Sequence, residues 1–215
     1  MKPTREEFKK LARDANVVPV YAELLADMET PVSAFAKIAE RPGAFLLESA
    51  ESVENWGRYS FLGFSPKAEF KLSGGAGRLT FSDGKSRSSA PGEFPLKPLR
   101  DYIATRKVHQ PSDLPRFFGG AIGYFGYETA NMFERLPEPK TEALWDDASL
   151  GLYDDVIIFD NARHTVKMVA AAHIDEYASA DDAYDGACAR VRALMEIYRS
   201  PRPETCLLYT SDAAD

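Results

Sequence analysis

Two periodicities alternate along this chain. Thr4-Arg5-Glu6-Glu7 has the form of a capping box, and Phe8 and Leu11 then fall on one face, which predicts a short helix over 4–15. Val17-Val18-Pro19-Val20-Tyr21 is β-branched and aromatic and predicts a strand, with Pro19 placing it at a sheet edge. Thr30-Pro31 opens a second helix over 30–40, carrying Val32, Phe35 and Ala39 at helical spacing. Short strands follow at 45–48, 59–63 and 68–72, with a hairpin through Gly74-Gly75 into 78–81 and a tight turn at Asp83-Gly84. The Ser-, Gly- and Pro-rich stretch 83–95 predicts an exposed loop, and Leu96, Leu99 and Ile103 predict a helix over 95–107.

The second half repeats the mixture. Residues 117–124 form an apolar strand broken by glycines, of the kind that marks a bulge or a close backbone approach, and 127–133 predicts a short helix. Leu150 to Phe159 and Thr165 to Ala172 predict a hairpin turned at Asp160-Asn161. Ser179, with Asp181 and Asp182 in the first turn, opens a final helix lined by Ala183, Ala187, Val191, Leu194 and Tyr198. Helices mixed with hairpins predict an α+β fold of antiparallel sheets with flanking helices.

Composition narrows the partners. A net charge of -7, with no Lys/Arg run, argues against nucleic acid. No apolar stretch is long enough to span a bilayer, and the polar opening is unlike a signal peptide, so a reduced cytoplasmic protein is expected. Two cysteines, Cys188 and Cys206, make neither a disulfide framework nor a zinc cluster. The tail 206–215, CLLYTSDAAD, resembles the conceptual translation of a sequencing-library adapter. Residues 1–205 are therefore expected to be native, in a polypeptide that continues beyond them.

Candidate chemistry is sparse. His109, His164 and His173 lack metal-ligand spacing, and His164 reads as a surface turn residue. The pairs Asp146-Asp147 and Asp154-Asp155 read as solvated strand ends, since neighbours on a strand point to opposite faces. Gly119-Gly120 through Tyr127 lacks the Gly-Lys-Ser/Thr ending of a phosphate loop, and Cys188 has no nearby base. One segment could hold a zwitterion: Glu48 for an ammonium, Arg58 for a carboxylate and Ser49 as an adaptable donor or acceptor. From composition alone the same residues make a strand end with a surface Arg–Glu pair, which is the simpler account.

The ordered set Val18-Pro19-Val20-Tyr21-Ala22-Glu23, Asp27 through Phe35, Leu46-Leu47-Glu48-Ser49, Gly57-Arg58-Tyr59-Ser60-Phe61 and Gly119-Gly120-Ala121-Ile122-Gly123-Tyr124 resembles the N-terminal region of the anthranilate synthase component I family. The resemblance covers residues 17–204. It implies part of a four-layer α/β/β/α fold and a lyase of tryptophan biosynthesis that turns chorismate and ammonia into anthranilate and pyruvate with Mg²⁺. It also implies a partner glutamine amidotransferase subunit that supplies the ammonia. Tryptophan feedback inhibition through a pocket that includes the Leu-Leu-Glu-Ser segment is implied too, with Glu48 and Ser49 matching by position and Arg58 lying near a basic residue of that pocket. The family's chorismate and magnesium ligands are expected beyond this chain, so no catalytic residue is assigned within it, and the chain alone is expected to be inactive. The alternatives are an aminodeoxychorismate synthase component I of folate synthesis and a standalone amino-acid sensor.

Overall fold

The computed structural model describes residues 1–48, 57–134 and 144–203. Ten strands among them form two five-stranded sheets, antiparallel throughout. The first has the order β1 (Val17–Leu25), β10 (Thr165–His173), β9 (Asp155–Asp160), β3 (Tyr59–Gly63) and β2 (Phe45–Leu47). The second runs β6 (Ser86–Ser88), β5 (Ala76–Phe81), β4 (Ala68–Ser73), β8 (Ala148–Tyr153) and β7 (Gly120–Phe125). With the helices packed on these sheets, the fold is α+β, as expected. Pro19 lies on β1, an edge strand, where a missing N–H costs no ladder bond on the open side.

Burial follows the pattern of the strands. In β9 and β10 nearly every position is buried, because the first sheet is covered on both faces. On one face lie α1 (Arg5–Leu11), α2 (Pro31–Ala36) and α4 (Ala180–Arg199), around Phe8, Met168, Val191 and Leu194. On the other lie Tyr21, Phe118, Tyr153, Val156 and Val169. The alternation of β4 has the opposite meaning: Ala68, Phe70 and Leu72 are buried under α3 (Lys97–Ala104), while Glu69, Lys71 and Ser73 are exposed.

The caps at Thr4, Thr30 and Ser179 are present, and Ala183, Ala187, Val191, Leu194 and Tyr198 are all buried on α4. Four expectations need correction. The run 150–159 is two strands rather than one, because the chain leaves the second sheet after Tyr153 and enters the first at Asp155. The loop 83–95 contains β6, three exposed residues paired with β5. The predicted short helix at 127–133 is a 3-10 turn, Tyr127–Met132. In α2, Phe35 packs against the core as expected, but Val32 is 58% exposed, while Ala34 and, just past the helix, Ile38 are buried, so the buried side is shifted from the one the apolar spacing suggested.

The glycine-broken strand is a close-approach strand. Gly123 lies opposite Leu150, and a β-carbon there would overlap the carbonyl oxygen of Ser149 and come within 2.8 Å of the Leu150 Cα. Beyond this contact β7 is, among the described residues, an edge strand carrying exposed Tyr124 and Phe125, followed by Tyr127 at 82% and Phe133 at 74% exposure. Gly123→Ala should therefore lower the urea unfolding midpoint by an amount worth about 1–3 kcal/mol, the usual cost of overpacking. An unchanged midpoint would contradict the β7–β8 register.

Candidate functional site

The zwitterion-binding candidates lie where β2 meets β3. Antiparallel pairing sets Leu47 opposite Phe61, so Glu48 follows the last paired residue of β2 and is exposed. Ser49 lies outside the described residues. Arg58 precedes β3, and its backbone carbonyl accepts a hydrogen bond from Asn161 N–H at 2.8 Å. Its guanidinium does not pair with Glu48. It clasps Asp160 through two bonds, Nε–Oδ1 at 2.9 Å and Nη2–Oδ2 at 2.6 Å, and lies 4.9 Å from the centre of the Tyr59 ring.

Asp160 is only 2% exposed, against 34% for Arg58. Burial opposes ionisation of Asp160, but the hydrogen bonds and charge of Arg58 outweigh it and hold the carboxyl below its ordinary value. Asp160 was read from sequence as a turn residue only. An acid closing a strand of otherwise apolar residues, with an Arg at the start of the neighbouring strand, was the available signal. Arg58 thus has a structural partner and still keeps a third of its side chain in solvent.

A second cluster was read from sequence as solvated strand ends. Asp154, between β8 and β9, is instead largely enclosed, with 17% of its side chain exposed: His173 Nε2 lies 2.7 Å from its Oδ1 and Lys67 Nζ 3.2 Å from its Oδ2. Lys67 also donates to both oxygens of Glu176 at 2.6 Å. Asp155 is paired with a different cation, Arg190 on α4 at 3.0 Å. The two carboxylates therefore do not converge on one ion. Burial works against the charge of Asp154, yet the bond from His173 and the charges of His173, Lys67 and Arg190 prevail and keep it below its ordinary value. Asp155 is pushed up to about 6, chiefly by burial, with its neighbour Asp154 adding to the effect and Arg190 offsetting part of it.

His173 was missed because no spacing rule links it to an acid 19 residues earlier; sheet pairing alone brings them together. The reading of His164 holds, since it is an exposed turn residue with φ 53°. Cys188 is buried on α4. A metal would find possible ligand atoms on His173, Asp175 and Glu176, all within 4.8 Å of one another. These are already engaged with Asp154, Arg106 and Lys67, respectively. A hard cation such as magnesium needs free oxygen ligands, so the cluster does not fit it.

The geometry is that of a scaffold with two ionic joints, and comparison with known proteins gives it a family. A family model described as chorismate binding enzyme matches residues 42–206. The chain belongs to the chorismate-binding enzyme family. It is 36% identical over 216 residues to anthranilate synthase component 1 of Mycobacterium tuberculosis, an alignment covering 96% of this chain and 41% of that relative. It is also 35% identical over 201 residues to anthranilate synthase component 1 of Pseudomonas aeruginosa, covering 92% of this chain and 40% of the relative. The chain thus spans about two fifths of the length of the curated relatives it matches. Among solved structures, anthranilate synthase component I from Streptococcus pneumoniae superposes with a TM-score of 0.51 at 22% identity, over 84% of this chain and 37% of that one. At that identity the likeness speaks for the fold. Among the described residues, no helix of this chorismate-binding family member is long and apolar enough to cross a membrane.

Two measurements test the ionic joints. Arg58→Ala should cost about 2–3 kcal/mol at neutral pH, the lower range for a broken buried pair because water reaches the vacated side. This contribution is fully present above the ordinary carboxylate value near pH 4 and is lost as pH falls through the depressed Asp160 value, so the gap to wild type should narrow in acid. Asp155 has the opposite sign. The folded form holds a proton that the unfolded chain releases, so between about pH 4 and about 6 its contribution falls as pH rises. Unfolding titrations across that window should show a flatter profile for Asp155→Asn.

Proposed function

We propose that this chain is the N-terminal part of an anthranilate synthase component I, the lyase subunit that forms anthranilate and pyruvate from chorismate and ammonia in the cytoplasm. The observation carrying this reading is identity of about a third, along nearly the whole chain, to proteins named anthranilate synthase component 1. Glutamine supplies the ammonia through an amidotransferase subunit. The magnesium ion and the catalytic groups belong to the remainder of the polypeptide, so the 215 residues alone are inactive. Two features support that division. The acidic clusters described above are saturated by Lys67, Arg106, Arg190 and Arg58, leaving no open set of carboxylates there for a cation. The β7 edge and its exposed aromatic residues also form a surface suited to being covered by more protein.

In the same reading, tryptophan regulates the enzyme by binding at the end of β2, with Glu48 and Ser49 contacting the amino acid. Arg58 contributes from the adjacent strand. Its bond to Asp160 favours orienting one face of the pocket over acting as a free carboxylate clamp.

The test is complementation. The full-length gene product should restore growth of a tryptophan auxotroph lacking component I, and the purified protein should form anthranilate from chorismate and ammonium. Formation of aminodeoxychorismate instead would overturn the assignment. Glu48→Ala in the full-length enzyme should raise the tryptophan concentration for half-inhibition by about tenfold, the equivalent of one lost charge-assisted contact. Unchanged inhibition would remove Glu48 from the pocket.

A further inference from the structure

The chain leaves α4 at the same end of the first sheet as the candidate residues of β2 and β3. Tyr198, in the last turn of α4, packs its ring 6.2 Å from that of Phe159, next to Asp160, and Glu48 follows the residue of β2 that pairs with Phe61. Between these places lies α2. Ala34, Phe35 and Ile38 share one core with Leu46 of β2, Leu62 of β3 and Tyr198. The end of β2 and the exit of α4 are therefore packed in one layer with the same short helix.

A largely shielded ion pair fastens that helix to the exit. Lys37 closes α2, and its side chain is only 2% exposed. Its ammonium donates to Glu29, just before the helix cap Thr30, at 2.8 Å and to the backbone carbonyl of Tyr198 at 2.6 Å. Glu29 also accepts from the Ser33 hydroxyl. Arg202, beyond α4, donates to the Met28 carbonyl at 3.2 Å and lies 3.6 Å from the Glu29 carboxylate. Burial opposes the charge of Glu29, but Lys37, Ser33 and Arg202 outweigh it and hold the carboxyl below its ordinary value. Separating such a pair strands a charge away from water, so α2 and the exit of α4 resist separation and move as one body.

We propose that the Glu29–Lys37 pair couples the site at the end of β2 to the polypeptide that follows α4, so that an amino acid bound beside Glu48 alters the placement of the catalytic part through α2. The inference rests on the tryptophan regulation proposed above and names the element that transmits it. Glu29 and Lys37 are positioning residues, since neither lies on β2 or β3 and both act through the backbone they fix. A ligand that displaces β2 presses on Ala34 and Ile38, and Lys37 carries the displacement to the Tyr198 carbonyl. Coupling of this kind is reciprocal, so tryptophan and chorismate weaken each other's binding through the same joint.

The test separates tryptophan binding from its effect, in the full-length enzyme. Calorimetry gives the tryptophan Kd, and anthranilate formation gives the factor by which saturating tryptophan lowers kcat/KM for chorismate. Glu29→Gln keeps the size of the side chain and removes its charge. It should leave the tryptophan Kd of the enzyme alone within about twofold, as expected of a residue outside the pocket. The inhibition factor should shrink by about fivefold or more, the low end of ordinary coupling. Amide exchange at Tyr198 to Ser200, which tryptophan should alter in wild type, should stop responding in the variant. Arg202→Ala, at an exposed position, should shrink the factor in the same direction and serves should Glu29→Gln fail to fold. An inhibition factor equal to wild type in the folded variants overturns the proposal. So does a loss of tryptophan binding of about tenfold in Glu29→Gln, the scale of a direct charge-assisted contact, which would put Glu29 in the pocket itself. Wild type that binds no tryptophan would instead overturn the reading of the β2 site, and the coupling with it.

Discussion

The carboxylate of Asp154 holds the place where one sheet becomes the other. The chain runs along β8 in the second sheet, turns at this residue and continues as β9 in the first. A charge so placed costs several kcal/mol unless it is paired. Its partners come from distant parts of the chain: His173 ends β10, and Lys67 follows β3. Lys67 reaches on to Glu176, which precedes α4, and Asp155 ties the same turn to Arg190 within α4. The backbone joins in, since Ala171 N–H donates to the Asp154 carbonyl at 2.8 Å. Crossover, sheet ends and long helix are thus linked by one set of charges.

The division of labour between the sheets follows from this joint. The first sheet is buried on both faces and contains the longest pairing, β1 with β10 over nine residues each. It also carries the Arg58–Asp160 clasp. The second has one face under α3 and one facing solvent, with β7 and β6 at its edges. Regulation by a small amino acid, as proposed, would act at the edge of the first sheet, where Glu48 is solvent-exposed yet anchored by a strand pinned to the core.

Much of this was legible in the residues. Capping boxes, the apolar line of α4, the edge position of Pro19 and the close approach at Gly123 each rest on local rules, and the structure follows them. Nonlocal features were not legible. The apolar run 150–159 gives no sign that it changes sheets, because both halves satisfy a strand pattern and the switch is set by partners over eighty residues upstream and some twenty downstream. The Asp154–His173 pair and the Asp160–Arg58 clasp were invisible for the same reason: they are products of register, not spacing. At the end of β2, the residues were singled out by their chemistry and then by resemblance, and Arg58 proved to have a partner that its sequence neighbours did not suggest.

The pairing of β1 with β10 has a consequence for synthesis on the ribosome. Residues 17–25 emerge early, yet their hydrogen-bonding partners are residues 165–173. At ordinary translation rates the first strand waits on the order of ten seconds for the last. During that interval Val17, Val18, Val20 and Tyr21 form an apolar ribbon with no sheet to join, open to any other nascent strand. Pro19 in its centre withholds one donor from such a partner and so guards the ribbon against premature pairing. The same proline that marks a finished edge therefore doubles as protection for an unfinished chain.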